Sequence, residues 1–273
     1  MCYRLVAAPR CSRPIGPIEC ILRAARMIVQ EVFAKSVLSK SRIQDYTVNA
    51  YVGCSHSCRY CYAAFMKRFT GHREKWGEFV DAKVNAPVVL EKQIRGKTPG
   101  RVWVSGVCDP YQAAEETYRL TRSCLEILKK HRWPVTIQTK SALVLRDLDV
   151  LRQFADLEVG FSIATADEKI RVLFEPGAPP VEERIRALDL LHAAGIKTFA
   201  MIAPILPGVE GLIERLPGKV DNILVDRLNY AHANRVYAAN NLEWAKEDRF
   251  FRDKAEELSR GFRARGIPVH VLF

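Results

Sequence analysis

The stretch Tyr51-Val52-Gly53-Cys54-Ser55-His56-Ser57-Cys58-Arg59-Tyr60-Cys61-Tyr62 places three cysteines on one short loop, with gaps of three and then two residues. Thiolates are soft ligands, and at this density they suit zinc or an iron–sulfur cluster. A [4Fe–4S] cube needs four ligands, so three cysteines leave one iron open to a small molecule. An open position marks a reactive metal, whereas a closed set marks a structural one. Zinc would need a fourth ligand, from His56 or His72, and structural zinc sites usually pair two ligand clusters. The later cysteines, Cys108 and Cys124, form no second pair. A non-catalytic zinc or iron–sulfur module is therefore the alternative to a reactive cluster.

Working outward, short apolar runs alternate with helical patterns from about residue 46 to the end. The strands expected are Thr47–Val52, Val102–Val107, Val135–Thr139, Glu158–Ile163, Lys197–Ala203, Asn222–Asp226 and Pro268–Leu272. Tyr118–His131, Leu145–Phe154, Val181–Ala194 and Leu242–Arg265 carry apolar residues three and four apart, as helices do. Alternating strands and helices imply parallel βαβ units and an α/β fold. Six or seven such units predict a single-domain partial barrel with its site at the carboxyl ends of the strands. The cysteine loop follows the first strand. Ser105-Gly106-Val107-Cys108-Asp109-Pro110-Tyr111-Gln112 follows the second, Thr139-Lys140-Ser141 ends the third, Ser162 lies on the fourth, and Ala203-Pro204 ends the fifth.

The chain has 273 residues, 48% hydrophobic and 27% charged, which is ordinary for a globular protein. No run approaches the length of a membrane span. Eight cysteines in this length do not form a secreted disulfide scaffold, and a reducing cytoplasm is expected. The net charge of +11 is concentrated early: residues 1–100 hold 17 Lys and Arg against 7 Asp and Glu. Such a balance suits nucleic acid or another polyanion, or simply a solvated surface. Residues 1–26, with Cys2, Cys11 and Cys20 at no ligand spacing, are expected to be a disordered leader or a start-site artefact. The domain is expected to begin at Met27.

The cysteine spacing, with an aromatic residue before the third cysteine, resembles the radical S-adenosylmethionine (SAM) superfamily. Together with Asp109-Pro110-Tyr111-Gln112, Thr139-Lys140-Ser141, Glu175-Pro176 and Arg184, it resembles the group related to spore photoproduct lyase, described as DNA-repair photolyase-like. The resemblance covers residues 27–273 and implies a partial (β/α)6-type TIM barrel. It implies that Cys54, Cys58 and Cys61 hold a [4Fe–4S] cluster whose open iron is chelated by SAM. Tyr60 would set backbone groups against the adenine, Asp109 would accept from the SAM amino group, Lys140 would pair with the carboxylate, and Ser162 would bond the ribose. These groups complement the ammonium, carboxylate and hydroxyls of SAM in turn. Arg184 would reach the SAM carboxylate or pair with Glu175 or Glu183.

The activity implied is reductive cleavage of SAM to a 5′-deoxyadenosyl radical that abstracts a hydrogen atom, in an enzyme of lyase or transferase type. The electron donor would be a flavodoxin or ferredoxin, and the substrate would be a DNA lesion, a peptide or a metabolite. Tyr62, Phe65, Tyr111 and Tyr230 lie near the expected mouth, where they would stack on bases or belong to the core, and His232 is placed for substrate contact. One departure stands out. The family's hydrogen-atom-donating cysteine lies three residues before the aspartate, where this chain has Gly106. Cys108 would be the substitute donor, one pleat-step off in parity, or a small buried hydrophobe.

Overall fold

Runs rich in Val, Ile and Phe become strands buried on both faces of a parallel sheet, as such composition favours. The computed structural model describes residues 27–273, so the expectation for the leader at 1–26 lies outside the described residues. The strands are β1 (Ile28–Val32), β2 (Leu38–Lys40), β3 (Tyr46–Val48), β4 (Tyr51–Val52), β5 (Phe79–Lys83), β6 (Val102–Val104), β7 (Val135–Thr139), β8 (Leu157–Ser162), β9 (Lys197–Ile202), β10 (Asn222–Val225) and β11 (Val269–Val271). An eight-stranded sheet runs in the order β11-β10-β9-β8-β7-β6-β3-β2. All neighbours pair in parallel except β2, which adds antiparallel to β3. This is the single-domain α/β architecture expected from the alternating pattern.

Register fixes where the site forms. Val104 pairs with Ile137, Thr139 with Phe161, and Ser162 with Met201. The residues leaving β6, β7 and β8 therefore emerge on one rim. Beneath them Ile137, Val159, Phe161, Ala200, Ile202 and Val225 are fully buried. Each large apolar side chain removed from water in this way contributes about 1.5–3 kcal/mol.

The first expected strand is divided. Tyr46–Val48 joins the large sheet, whereas Tyr51–Val52 turns away to pair antiparallel with β5, which pairs in parallel with β1. The break falls at Asn49-Ala50, where the Asn49 side chain bonds the loop after β6 instead of letting the strand continue. Helix expectations hold best at Val181–Ala193. The expected Tyr118–His131 helix starts at Leu120, because Arg119 is left-handed (φ 50°) and separates it from Ala113–Tyr118. The Leu242–Arg265 pattern divides at Glu247, whose extended ψ of 141° separates a 3-10 turn, Glu243–Lys246, from the helix Asp248–Arg263. That helix buries Phe250, Phe251, Ala255, Leu258 and Phe262 at helical spacing. Among the described residues, no helix is long and apolar enough to cross a membrane.

Candidate active site

The cysteine loop leaves β4 through Gly53. Its φ is +85°, and a Cβ there would stand 2.3 Å from the backbone oxygen of Phe79 on β5. Neither the conformation nor the gap admits a side chain. Gly53→Ala is therefore expected to lower stability by about 2 kcal/mol, read from the urea midpoint; an unchanged midpoint would mean that β5 yields. Beyond Gly53 the chain makes two tight turns, with Ser57 N donating to Cys54 O (3.3 Å) and Cys61 N to Cys58 O (3.2 Å). Cys54 is buried, Cys58 and Cys61 are half-buried, and all three are free thiols. Burial pushes the Cys58 thiol up to about 12 and also raises Cys54 and Cys61. Cys58 lies within the electrostatic reach of both other cysteines.

The segments after two other strands clamp this loop. Gln112, fully buried after β6, accepts from Ser55 N at 2.9 Å and donates to Gly53 O at 3.0 Å. His56 Nδ1 lies 3.3 Å from Asp109 Oδ2. After β8, Phe174 O accepts from Arg59 N (2.8 Å), and Gly177 N donates to His56 O (3.0 Å). Asp109 in turn accepts from Tyr111 N, Thr139 Oγ1 and Lys140 N at 2.7–2.9 Å. Burial alone would raise its pKa, but His56, Thr139 and the Lys140 amide outweigh that and hold it at about 2. With about four acceptor sites on a carboxylate, Asp109 is filled by the protein's own donors. It joins β6, β7 and the cysteine loop.

Glu175 organises the second half of the site. It is buried, accepts from the Tyr60 phenol, and lies 2.6 Å from Arg184 Nη1 and 3.8 Å from Lys140 Nζ. Burial would raise its pKa, but Arg184 and Lys140 keep it below the usual carboxylate range. Arg184 also donates to Pro179 O (2.9 and 2.7 Å) and Ser162 O (3.1 Å). Of the two roles weighed for Arg184, the structure places it in the Glu175 pair. Lys140 is held more loosely, over the Tyr60 ring at 5.8 Å and within the field of Cys58. Ser162 Oγ accepts from Gln138 Nε2 at 2.7 Å.

Cys108 faces the same rim. Its sulfur is 3.2 Å from Ser105 Oγ and 3.6 Å from Tyr51 O, and burial pushes the thiol up to about 12, so it keeps its proton. Asn49 Oδ1 gathers Ser105 Oγ, Gly106 N and Val107 N at 2.8–3.2 Å, which fixes this loop. A Cβ at Gly106 would come within 2.9 Å of Thr47 Oγ1, so Thr47 fills the space that a cysteine would take there. Tyr62 donates its phenol to Gly106 O and stacks on Tyr230 at 6.5 Å; Tyr230 stacks on His232 at 5.7 Å. Tyr62, Phe65 and Tyr230 are exposed, whereas Tyr111 is buried and takes the core alternative. The histidines weighed as zinc ligands are engaged otherwise: His72 meets Glu74 and Asp81 through its two ring nitrogens, and His56 meets Asp109. Among the described residues, no three His, Cys, Asp or Glu side chains stand in preformed metal-ligating geometry.

The family model of the radical SAM superfamily matches residues 48–211, which include every residue of this rim from Asn49 to Arg184. The chain belongs to the radical SAM superfamily. An uncharacterized protein of Methanocaldococcus jannaschii is 37% identical over 186 residues, 67% of this chain and 70% of that protein. One of Mycobacterium tuberculosis strain H37Rv is 33% identical over 198 residues, 68% of this chain but 58% of its own length. A solved spore photoproduct lyase variant with bound AdoMet and dinucleoside spore photoproduct shares the fold, with a TM-score of 0.63 at 18% identity, covering 96% of this chain and 87% of that one.

As a radical SAM enzyme, the chain shows which of its residues local pattern hides. Asn49 and Gln138 hold the site by bonds to positions far along the chain, and no spacing rule flags them. Arg184 did carry a signal: it shares one helix stripe with Val181, Ile185 and Leu188, where a charge must be paired.

Proposed function

We propose that this chain binds a [4Fe–4S] cluster through Cys54, Cys58 and Cys61, binds SAM beside it, and acts on nucleic-acid bases. Reduced and bound together, the two groups supply a 5′-deoxyadenosyl radical that removes a hydrogen atom from a substrate. The observation that carries the reading is a loop of three free thiols clamped from the ends of β6 and β8, with the Lys140 ammonium beside it. The donor set fits the cluster: three soft ligands, raised by burial, give up their protons when metal binds.

In this reading Lys140 holds the SAM carboxylate and Ser162 a ribose hydroxyl, while Tyr60 lines the adenine. Asp109 and Arg184 hold the cradle instead of touching SAM. Cys108 Sγ–H is the hydrogen-atom donor, kept as a thiol by its burial. The exposed Tyr62 and Tyr230 rings offer stacking surfaces for bases, and exposed Arg59, Arg68, Arg73 and Lys75 offer phosphate contacts. A flavodoxin- or ferredoxin-type protein is the electron donor.

Anaerobically reconstituted protein, given dithionite and SAM, is expected to form 5′-deoxyadenosine, measured by liquid chromatography and mass spectrometry. No product from cluster-loaded wild type sinks the activity. Single-stranded DNA binding that weakens steeply with salt is expected; no binding at low salt removes nucleic acid as the substrate class.

A further inference from the structure

The loop after β6 carries a run of hydrogen bonds whose direction is fixed by its donors. Asn49 Oδ1 accepts from Gly106 N at 2.8 Å and Val107 N at 3.2 Å, and of the two amide atoms only the oxygen can answer backbone N–H groups. The Ser105 hydroxyl lies 2.8 Å from the same oxygen, so its one hydrogen is donated there. Its lone pairs then face Cys108, whose sulfur stands 3.2 Å away. Two lone-pair atoms at that distance would repel, so the Cys108 S–H points at Ser105 Oγ. A second acceptor, Tyr51 O, stands 3.6 Å from the sulfur. Ser105 is 8% exposed and Tyr51 is fully buried, so both acceptors lie on the protein side of a half-buried thiol.

We infer that Ser105 parks the Cys108 hydrogen on its own oxygen, turned in from the rim, so that the thiol does not give it up before a substrate radical has formed. The inference rests on the reading of Cys108 as the hydrogen-atom donor proposed above. An S–H group is a weak donor, so the bond is easily broken, and rotation about Cβ–Sγ brings the hydrogen round without moving the backbone. The loop itself keeps its two amide bonds to Asn49 meanwhile. The transfer breaks the S–H bond homolytically, forms a C–H bond on the carbon radical of the substrate and leaves a thiyl. One electron from the low-potential donor protein and one solvent proton restore the thiol. Ser105 is thus a positioning residue that acts through Cys108. A purely structural role, bracing the loop on Asn49, predicts no effect on where the thiol hydrogen points.

Infrared spectroscopy of the purified protein reads the bond. The S–H stretch falls in a window clear of other protein bands, and the difference between wild type and Cys108→Ala isolates this one thiol. Its band is expected below the frequency of a thiol without an acceptor. Ser105→Ala should move it up, while Ser105→Thr, which keeps a hydroxyl, leaves it low. A band that Ser105→Ala does not move overturns the inference. Should that variant not fold, the wild-type band decides: at the unbonded frequency it overturns the inference, and below it the parked hydrogen is supported. The role is read in reconstituted protein given SAM and dithionite in D2O without substrate, where the thiol carries deuterium. Ser105→Ala is expected to place several-fold more deuterium in 5′-deoxyadenosine than wild type does, and adding Cys108→Ala to remove the excess. Equal deuterium in Ser105→Ala and wild type overturns the role and leaves the cluster reading intact. A wild type that forms no 5′-deoxyadenosine overturns both.

Discussion

Cys58→Ala protein, reconstituted and handled without oxygen, will lose the visible absorbance of an iron–sulfur protein and form no 5′-deoxyadenosine, yet it will remain folded. Cys58 is the middle thiol of the three, within the fields of Cys61, Lys140 and Glu175. Removing it leaves two thiols on the loop, and two thiolates do not retain a cube. The fold survives because the loop is held elsewhere, through Gln112 to Ser55 and Gly53, through His56 to Asp109, and through Arg59 N to Phe174 O. Iron and sulfide analysis, absorbance and product assay together check the expectation, with circular dichroism reporting the fold. Wild-type iron content with undiminished product would remove Cys58 from the ligand set. Cys108→Ala separates the roles: it should load and cleave SAM as wild type does.

Arg184→Met should destabilise the protein by about 3–5 kcal/mol, because it strands a buried carboxylate. Glu175 and Arg184 are each about 1% exposed at 2.6 Å. Without the guanidinium, Glu175 retains Lys140 at 3.8 Å and the Tyr60 phenol, which is too little to hold an anion away from water. Pro179 O and Ser162 O lose their donors at the same time. Adding Glu175→Gln to Arg184→Met should recover part of the loss, since the charge that needed a partner is gone. Urea unfolding of the metal-free protein measures both. A loss under about 1 kcal/mol would place this pair with weak surface bridges.

The large sheet was readable because its signals are local. β7 spans Val135–Thr139 as the pattern indicates, and β8, β9 and β10 match within one residue at each end, since β-branched and aromatic runs between polar breakers have few other fates. The clustering of Cys54, Cys58 and Cys61 on one loop was readable from their spacing. Hidden from that reading were the break at Asn49, the small sheet β1-β5-β4, and the partners of Asp109. Asn49 reaches residues 56 to 58 positions onward, and Tyr60 reaches Glu175 across 115. Contacts that long depend on register, which a window of neighbouring residues does not contain. Asp109 and Arg184 have the right chemistry for a charged ligand. What the fold adds is that other protein groups already claim them.

The splitting of the first strand between two sheets has a mechanical meaning. The cysteine loop is strung between two separate hydrogen-bonded ladders: its leading end, at Val52, is tied to β5, while its clamps stand on the larger sheet. The smaller ladder has only three short strands, so its opening free energy is its own and lower than that of the whole molecule. If the loop holds a cluster as proposed, its retention is governed by the weaker of two anchors, and a partner or ligand that braces β5 would tighten the loop without touching a single sulfur.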